Sequence, residues 1–345
     1  MTTSVLAHAR TDTSTQQPLL EVRGLTTEFR TRAGPLRAVN DVSFSLQRGR
    51  VLAVIGESGC GKSALLRTIL GIQPRTARIS GAVLMRGTDL LALSPKERER
   101  IRGDWLAMVF QDPMTALDPV FTVERQIVET LRRHKDLSRG AAAARARELL
   151  ELVQIPSPEQ RLKSYPFELS GGMRQRVVIA MALACEPSLL LADEPTTALD
   201  VTVQAHVLEL LRDLQRRLGM SIIIVTHDLA VAVELADDVA VMYAGRIVES
   251  GSVRQVIHHP AHPYTQGLLA ANIRPGQKER PAAIPGAPPN LARLPAGCAF
   301  APRCAFVTAQ CLEATPALIP IEGTHSARCV RVESAARAAS PLPCD

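Results

Sequence analysis

Apolar residues recur along this chain in two rhythms. Val51–Ile55 (VLAVI), Leu189–Ala192 (LLLA) and Ile222–Thr226 (IIIVT) are short, almost unbroken apolar runs, as strands covered on both faces require. Between the first and second runs the pattern turns helical. Val123, Ile127, Val128 and Leu131 recur at helical spacing, as do Ala142, Ala146, Leu149, Leu150 and Val153, with Ser138 placed to cap the second helix. After Asp200, the residues Val203, Val207, Leu210, Leu211, Leu214 and Leu218 share one helical face, and Gly219 supplies the stop. Val239–Val248 reads as a hairpin turning at Ala244-Gly245. This alternation predicts an α/β domain over residues 19–255, with a helical subdomain at about 112–185. Residues 1–18 are rich in Thr, Ser and Gln and are expected to form a disordered tail. Residues 256–345 hold 13 of the 24 prolines, which rules out long regular helix there. That extension should be loop-rich and held by something other than a large core.

Composition narrows the chemistry. Aromatics are 3% of the chain, with Trp105 alone, which argues against aromatic stacking on single-stranded nucleic acid or sugars. The net charge of +6 suits an anionic ligand or surface without choosing one. No apolar run approaches the ~20 residues that span a bilayer. The N-terminal residues show no basic segment followed by an apolar one. The expectation is a protein neither integral to a membrane nor secreted.

The anion has a clear candidate site. Gly56-Glu57-Ser58-Gly59-Cys60-Gly61-Lys62-Ser63 fits G-x-x-x-x-G-K-S between an apolar strand and a helical pattern beginning at Ala64. Glycines let successive backbone N–H groups converge on phosphate oxygens, and the following helix points its positive end there. Lys62 is placed to reach the β- and γ-phosphates, and the Ser63 hydroxyl to bind Mg²⁺. A second apolar strand ends in Asp193-Glu194, where Asp193 suits the metal and Glu194 the attacking water. A strand followed by an acidic helix cap reads the same way, so this pair gains its meaning from the phosphate loop. Together they identify a nucleoside triphosphatase.

Leu169-Ser170-Gly171-Gly172-Met173-Arg174-Gln175-Arg176 resembles the signature segment of ATP-binding cassette proteins. Other motifs of that family appear in order along the chain: Phe29 resembles the aromatic that packs on adenine, Gln111 its Q-loop glutamine, Ala198-Leu199-Asp200 its D-loop and His227 its switch histidine. The resemblance implies a P-loop ATPase core with a β-rich N-terminal lobe, and catalytic roles for Glu194, His227 and Gln111. It further implies Mg²⁺ at Ser63, Gln111 and Asp193, and ATP held by Phe29, Gly56, Ser58, Gly59, Cys60, Gly61, Lys62, Ser63, Ala64 and Gln111. Ser170, Gly171 and Gly172 would face the nucleotide of a second cassette, and Asp200 is implied as a further nucleotide-binding residue. FQDPMTALDPV (Phe110–Val120), MYAGRIVESG (Met242–Gly251), HPYT (His262–Thr265) and AIPGAPPNL (Ala283–Leu291) are similar to the oligopeptide and dipeptide importer subgroup.

That subgroup implies an energy-coupling subunit that hydrolyses ATP at the cytoplasmic face of the inner membrane. Its partners would be two membrane-spanning permease subunits, a second ATPase chain (a hetero-pair rather than a homodimer) and, indirectly, an extracytoplasmic solute-binding protein. Nickel, glutathione or opine-like solutes compete with peptides as cargo. A soluble ATPase acting on nucleic acid shares the core, but such proteins usually split it with a long coiled coil or a zinc insertion, which is not seen here.

Cysteine usage is lopsided. Cys298, Cys304, Cys311 and Cys329 crowd the extension without the paired C-x2-C spacing of structural zinc. They suit a [4Fe–4S] cluster holding the loops together, as in the extension of dipeptide-importer ATPases that this spacing resembles. Zinc, with His325 as a substitute ligand, and free thiols are the alternatives. The His258, His259 and His262 group reads as a loop fixing the start of the extension rather than a metal site. Cys344 is expected to be free.

Overall fold

The computed structural model describes residues 17–32, 34–197, 199–271 and 283–332. The expected tail up to residue 16, and Ala198 and Cys344, lie outside the described residues.

Among the described residues, two sheets carry the fold. The smaller is antiparallel and forms the N-terminal lobe from Leu20–Thr31, Gly34–Leu46, Arg78–Met85 and Thr88–Asp89. The larger runs in the order Ile319–Glu322, His325–Ala327, Arg246–Ser252, Asp238–Tyr243, Val51–Ile55, Ser221–Thr226, Leu189–Asp193, Leu106–Val109. The last five of these are mutually parallel, and the first three join antiparallel. Val51–Ile55, Leu189–Asp193 and Ser221–Thr226 are buried at every position, which is why their sequences show no alternation. One core lies between the larger sheet and its helices, a second between that sheet and the N-terminal lobe.

The helices form where the apolar spacing places them. Val123–His134 is capped by Thr122 and Arg139–Leu152 by Ser138, each accepting from a backbone N–H in the first turn. Val201–Leu218 is capped by Asp200 and ends at Gly219, whose φ of 61° permits the left-handed stop. The hairpin turns at Ala244-Gly245, both with positive φ.

The extension departs from expectation in how it is ordered. Among the described residues its helices are short pieces such as Val253–His258 and Pro263–Ala271. Yet it is not separate from the main core. His325–Ala327 pairs with Glu249 and Ser250 of the larger sheet, and Tyr264 and Phe300 are buried within the larger core. The boundary near residue 255 also falls inside a helix. Strand pairing and scattered aromatics leave little periodic trace in sequence, so this docking was hidden.

Candidate functional site

Parallel register decides where the chemistry gathers. Ile55 lies opposite Thr226, Asp193 opposite Val225, and Val109 opposite Ala192. The carboxyl ends of four neighbouring strands therefore coincide, and each continues into a motif: Gly56, Glu194, His227 and Gln111. In open α/β sheets this edge is where ligands bind.

The loop after Ile55 wraps tightly before the helix Lys62–Leu70. Gly61 caps that helix at φ 109°, and a Cβ there would stand 1.9 Å from the Ala38 carbonyl oxygen, so only glycine serves. Lys62 is buried and its Nζ donates to the carbonyls of Gly56 (2.7 Å) and Glu57 (3.0 Å). The Ser63 hydroxyl donates to Asp193 Oδ1 at 2.8 Å. Burial pushes the Asp193 carboxyl upward, against the opposing pull of Ser63. A hydroxyl and a carboxylate oxygen so close form a hard-oxygen pair suited to Mg²⁺.

Glu194 follows at a φ of 46°, in the left-handed region that a Glu rarely adopts. Its backbone N–H donates to the Val225 carbonyl at 2.9 Å, which anchors the turn to the neighbouring strand. Its Oε2 then meets three side chains. Gln111 Nε2 donates at 3.2 Å, the Thr197 hydroxyl at 2.9 Å, and His227 Nδ1 lies at 3.2 Å. Thr197 was not singled out from sequence, because a lone Thr after an acidic turn carries no signal there. The cleft so formed holds about 750 Å³ and is lined by Phe29, Glu57, Ser58, Gly59, Gly61, Lys62, Ser63, Ala64, Gln111, Glu194 and His227, with Leu291 from the extension. Gly56 and Cys60 form the loop but face inward, and burial pushes the Cys60 thiol up.

Ser170, Gly171, Gly172 and Asp200 are not among the lining residues. Ser170 caps the helix Gly171–Leu183 by accepting from the Met173 N–H at 3.3 Å. A Cβ on Gly172 would stand 2.6 Å from Val203 Cγ1, so the signature helix and the helix after Asp200 pack closely. Ser170 and Asp200 are both exposed.

In the extension, Cys298, Cys304, Cys311 and Cys329 all line one narrow cavity beneath Phe300 and Phe306, and none is in a disulfide. The Cys298 N–H donates to the Cys311 carbonyl at 2.7 Å, closing the first three into one loop system. Burial pushes the Cys298 and Cys329 thiols up. Among the described residues no group of three or more His, Cys, Asp or Glu side chains is disposed around a single metal ion. His325 is occupied elsewhere: its Nε2 lies 2.8 Å from Glu249 Oε1. His262 is buried against Phe300 with its pKa lowered by burial to about 4, and its Nδ1 accepts from the Tyr264 N–H at 3.0 Å. His258 and His259 are exposed.

No helix among the described residues is long and apolar enough to cross a membrane. The sequence profile of the ABC transporter family matches residues 39–197, and that of the oligopeptide/dipeptide transporter C-terminal region matches residues 248–311. The oligopeptide transport ATP-binding protein OppD of Bacillus subtilis is 50% identical over 311 residues, covering 89% of this chain and 87% of its own length. A Brucella melitensis protein named for peptide import and ATP binding is 49% identical over 330 residues, covering 92% of this chain and 98% of its own. Among solved structures, the dimeric ATP-binding cassette MJ0796, bound to ADP and Pi in a post-hydrolysis state, superposes with a TM-score of 0.61 at 27% identity. That likeness covers 68% of this chain and 99% of the other. The chain belongs to the ATP-binding cassette family of transporter ATPases and carries the C-terminal region of its oligopeptide/dipeptide branch.

Proposed function

We propose that this ATPase powers import of di- or oligopeptides through separate membrane-spanning subunits, working as one of a pair of cassettes. The observation that carries the coupling is the Gln111–Glu194 contact at 3.2 Å. Gln111 touches the hydrolytic carboxylate, and its loop runs directly into an exposed apolar surface. Phe110, Met114 and Val120 are exposed along it, as are Tyr165 and Phe167 of the segment that Arg174 joins to Met114. Arg174 ties that surface together by donating to Met114 Sδ and to the carbonyls of Pro166 and Phe167. Apolar side chains left in solvent beside a catalytic loop suit a docked partner. Movement of such a partner and the state of the nucleotide would then bias one another through Gln111.

In the cleft, Lys62 would exchange its two carbonyl partners for phosphate oxygens, and the loop N–H groups would hold the rest of the triphosphate. Phe29 offers an apolar face for the base. Mg²⁺, bound by Ser63 and Asp193 with Gln111 nearby, would neutralise charge on the phosphates. Glu194 orients and polarises the attacking water, held in place by Thr197 and His227. The resulting proton is within reach of both its carboxylate and the His227 ring.

The peptide class rests on the names of the relatives and on the matched C-terminal region. A hetero-pair of ATPase chains, a solute-binding protein outside the membrane and a cytoplasmic-face location belong to the same reading. So does a [4Fe–4S] cluster on the four extension cysteines. Four soft sulfur donors on one cavity suit iron–sulfur ligation, and cluster irons need not draw all four sulfurs to one point, as a single zinc does.

Native purification from membranes tests the function. The chain should copurify with membrane-spanning subunits, and peptides should stimulate ATP hydrolysis when the complex sits in vesicles with its binding protein. Copurification with nucleic acid and no membrane subunit would establish the other reading instead.

A further inference from the structure

We propose that Arg303 of the C-terminal extension is a positioning residue of the phosphate loop. It neutralises the Glu57 carboxylate at the mouth of the cleft, so that ATP affinity depends on the order of the cysteine-bearing loop. The proposal rests on reading residues 56–63 as the triphosphate site and goes beyond it.

Glu57 is an awkward residue where it stands. It is the second residue of the loop and lines the cleft. An ionised carboxylate there repels a polyphosphate unless its charge is balanced. The balance comes from 246 residues away. Arg303 donates in fork geometry to both carboxylate oxygens, at 2.7 Å to Oε2 and 2.9 Å to Oε1. The Arg303 side chain is 5% exposed, against 25% for Glu57, so little solvent dilutes the pairing. Its Nε donates to the Pro285 carbonyl at 2.9 Å, and one terminal nitrogen reaches the Tyr243 hydroxyl at 3.4 Å. The guanidinium lies 5.9 Å from the rings of Tyr243 and Phe300. It is built in, and its pKa is pushed up, first of all by Glu57.

The extension grips the same residue a second time. The Glu57 backbone N–H donates to the Tyr264 hydroxyl at 2.9 Å, and Tyr264 is fully buried. Lys62 Nζ holds the Glu57 carbonyl from the cleft side. Side chain, N–H and carbonyl of one loop residue are therefore all engaged, two of the three by residues beyond 255. Arg303 ends the short 3₁₀ turn Ala301–Arg303, and Cys298 and Cys304 bracket that turn. The thiol loop cannot rearrange without moving the guanidinium. The order in sequence concealed this: the cysteines follow all the hydrolytic motifs, yet their loop touches the first of them.

The test measures nucleotide affinity of the purified full-length chain, using a fluorescent ATP analogue displaced by ATP or by ADP. Arg303→Ala should weaken ATP binding by about ten-fold or more, the scale of one uncompensated charge in a partly wet site. ADP, with less charge, should lose less. Glu57→Gln placed in the Arg303→Ala background should restore most of the lost affinity, because the repelling carboxylate is then gone. ATP affinity within two-fold of wild type in Arg303→Ala would overturn the proposal. So would a double variant no better than Arg303→Ala, or equal losses for ATP and ADP, since either marks a role in folding alone. If Arg303→Ala does not fold, Arg303→Gln carries the same comparison: it keeps much of the side-chain volume and a hydrogen-bond donor but removes the charge, and a larger loss for ATP than for ADP supports the proposal while equal losses overturn it. Lys62→Ala serves as the control. If that variant binds ATP normally, the phosphate-loop reading itself is wrong, whereas a normal Arg303→Ala beside a defective Lys62→Ala rejects only the inference.

Discussion

At Glu194 the backbone is held in a conformation that costs about 1–3 kcal/mol for a residue with a Cβ. The bond from its N–H to Val225 and the contacts of its carboxylate with Gln111, Thr197 and His227 keep it there. Strain of this kind persists where position matters more than stability, and here it aims one carboxylate oxygen across the cleft. Glu194→Gln keeps size and shape but cannot polarise water as a base. Single-turnover hydrolysis in the assembled transporter should fall ~10²–10⁴-fold while ATP binding remains. A rate within a few-fold of wild type would remove Glu194 from the role of base. Most single residues of the cleft were legible in the sequence, because glycines, Lys62, Ser63, Asp193 and Glu194 sit at fixed offsets from strands that announce themselves. Thr197, Tyr264 and Arg303 were not. Thr197 lies near Glu194 in sequence but no motif marks it, and the contacts of Tyr264 and Arg303 with Glu57 come from far along the chain.

Among the elements, the parallel strands needed the least interpretation, since burial on both faces leaves only apolar residues to choose from. The capped helices were equally open to reading: Ser138, Asp200 and Gly219 mark ends that the structure shows. The extension was the element least visible. Its proline content was read correctly as a bar to long helix, but its anchorage was not. Glu249 is fully buried, accepts from the backbone N–H groups of Ala261 and His262, and pairs with His325. One buried carboxylate thus joins the sheet, the segment before Pro263–Ala271, and the added strand His325–Ala327. The four thiols line a cavity that His262 of this anchorage also lines, and the proposed cluster would add a further tie among their loops. Protein purified without oxygen should therefore be brown, carry iron and sulfide, and lose both on Cys304→Ser. That variant should expose the extension to protease and bind ATP more weakly, with the cassette still folded. A colourless preparation carrying stoichiometric zinc would replace the cluster but leave its structural role. An unchanged protease pattern in Cys304→Ser would refute that role.

For the whole molecule, the residues that resemble the signature segment do not line the cleft. Ser170 is exposed at the N-cap of its helix, where the helix dipole would favour an anion. Val201, 85% exposed, follows Asp200 at the start of the next helix. Both features are accounted for when two cassettes face each other, each completing the other's nucleotide site. This claim underlies the mechanism proposed here, and mixed pairs test it most directly. In a homodimer, a Ser170→Arg chain is combined with a Lys62→Ala chain; in a hetero-pair, Ser170→Arg is combined with the phosphate-loop variant of the partner. The measurement is ATP hydrolysis per assembled complex. The account predicts that one composite site survives in the mixed complex, with activity well above that of a pair carrying both substitutions in each chain. If the two defects instead behave as though Ser170 and Lys62 serve a site within a single chain, the paired-cassette account is wrong.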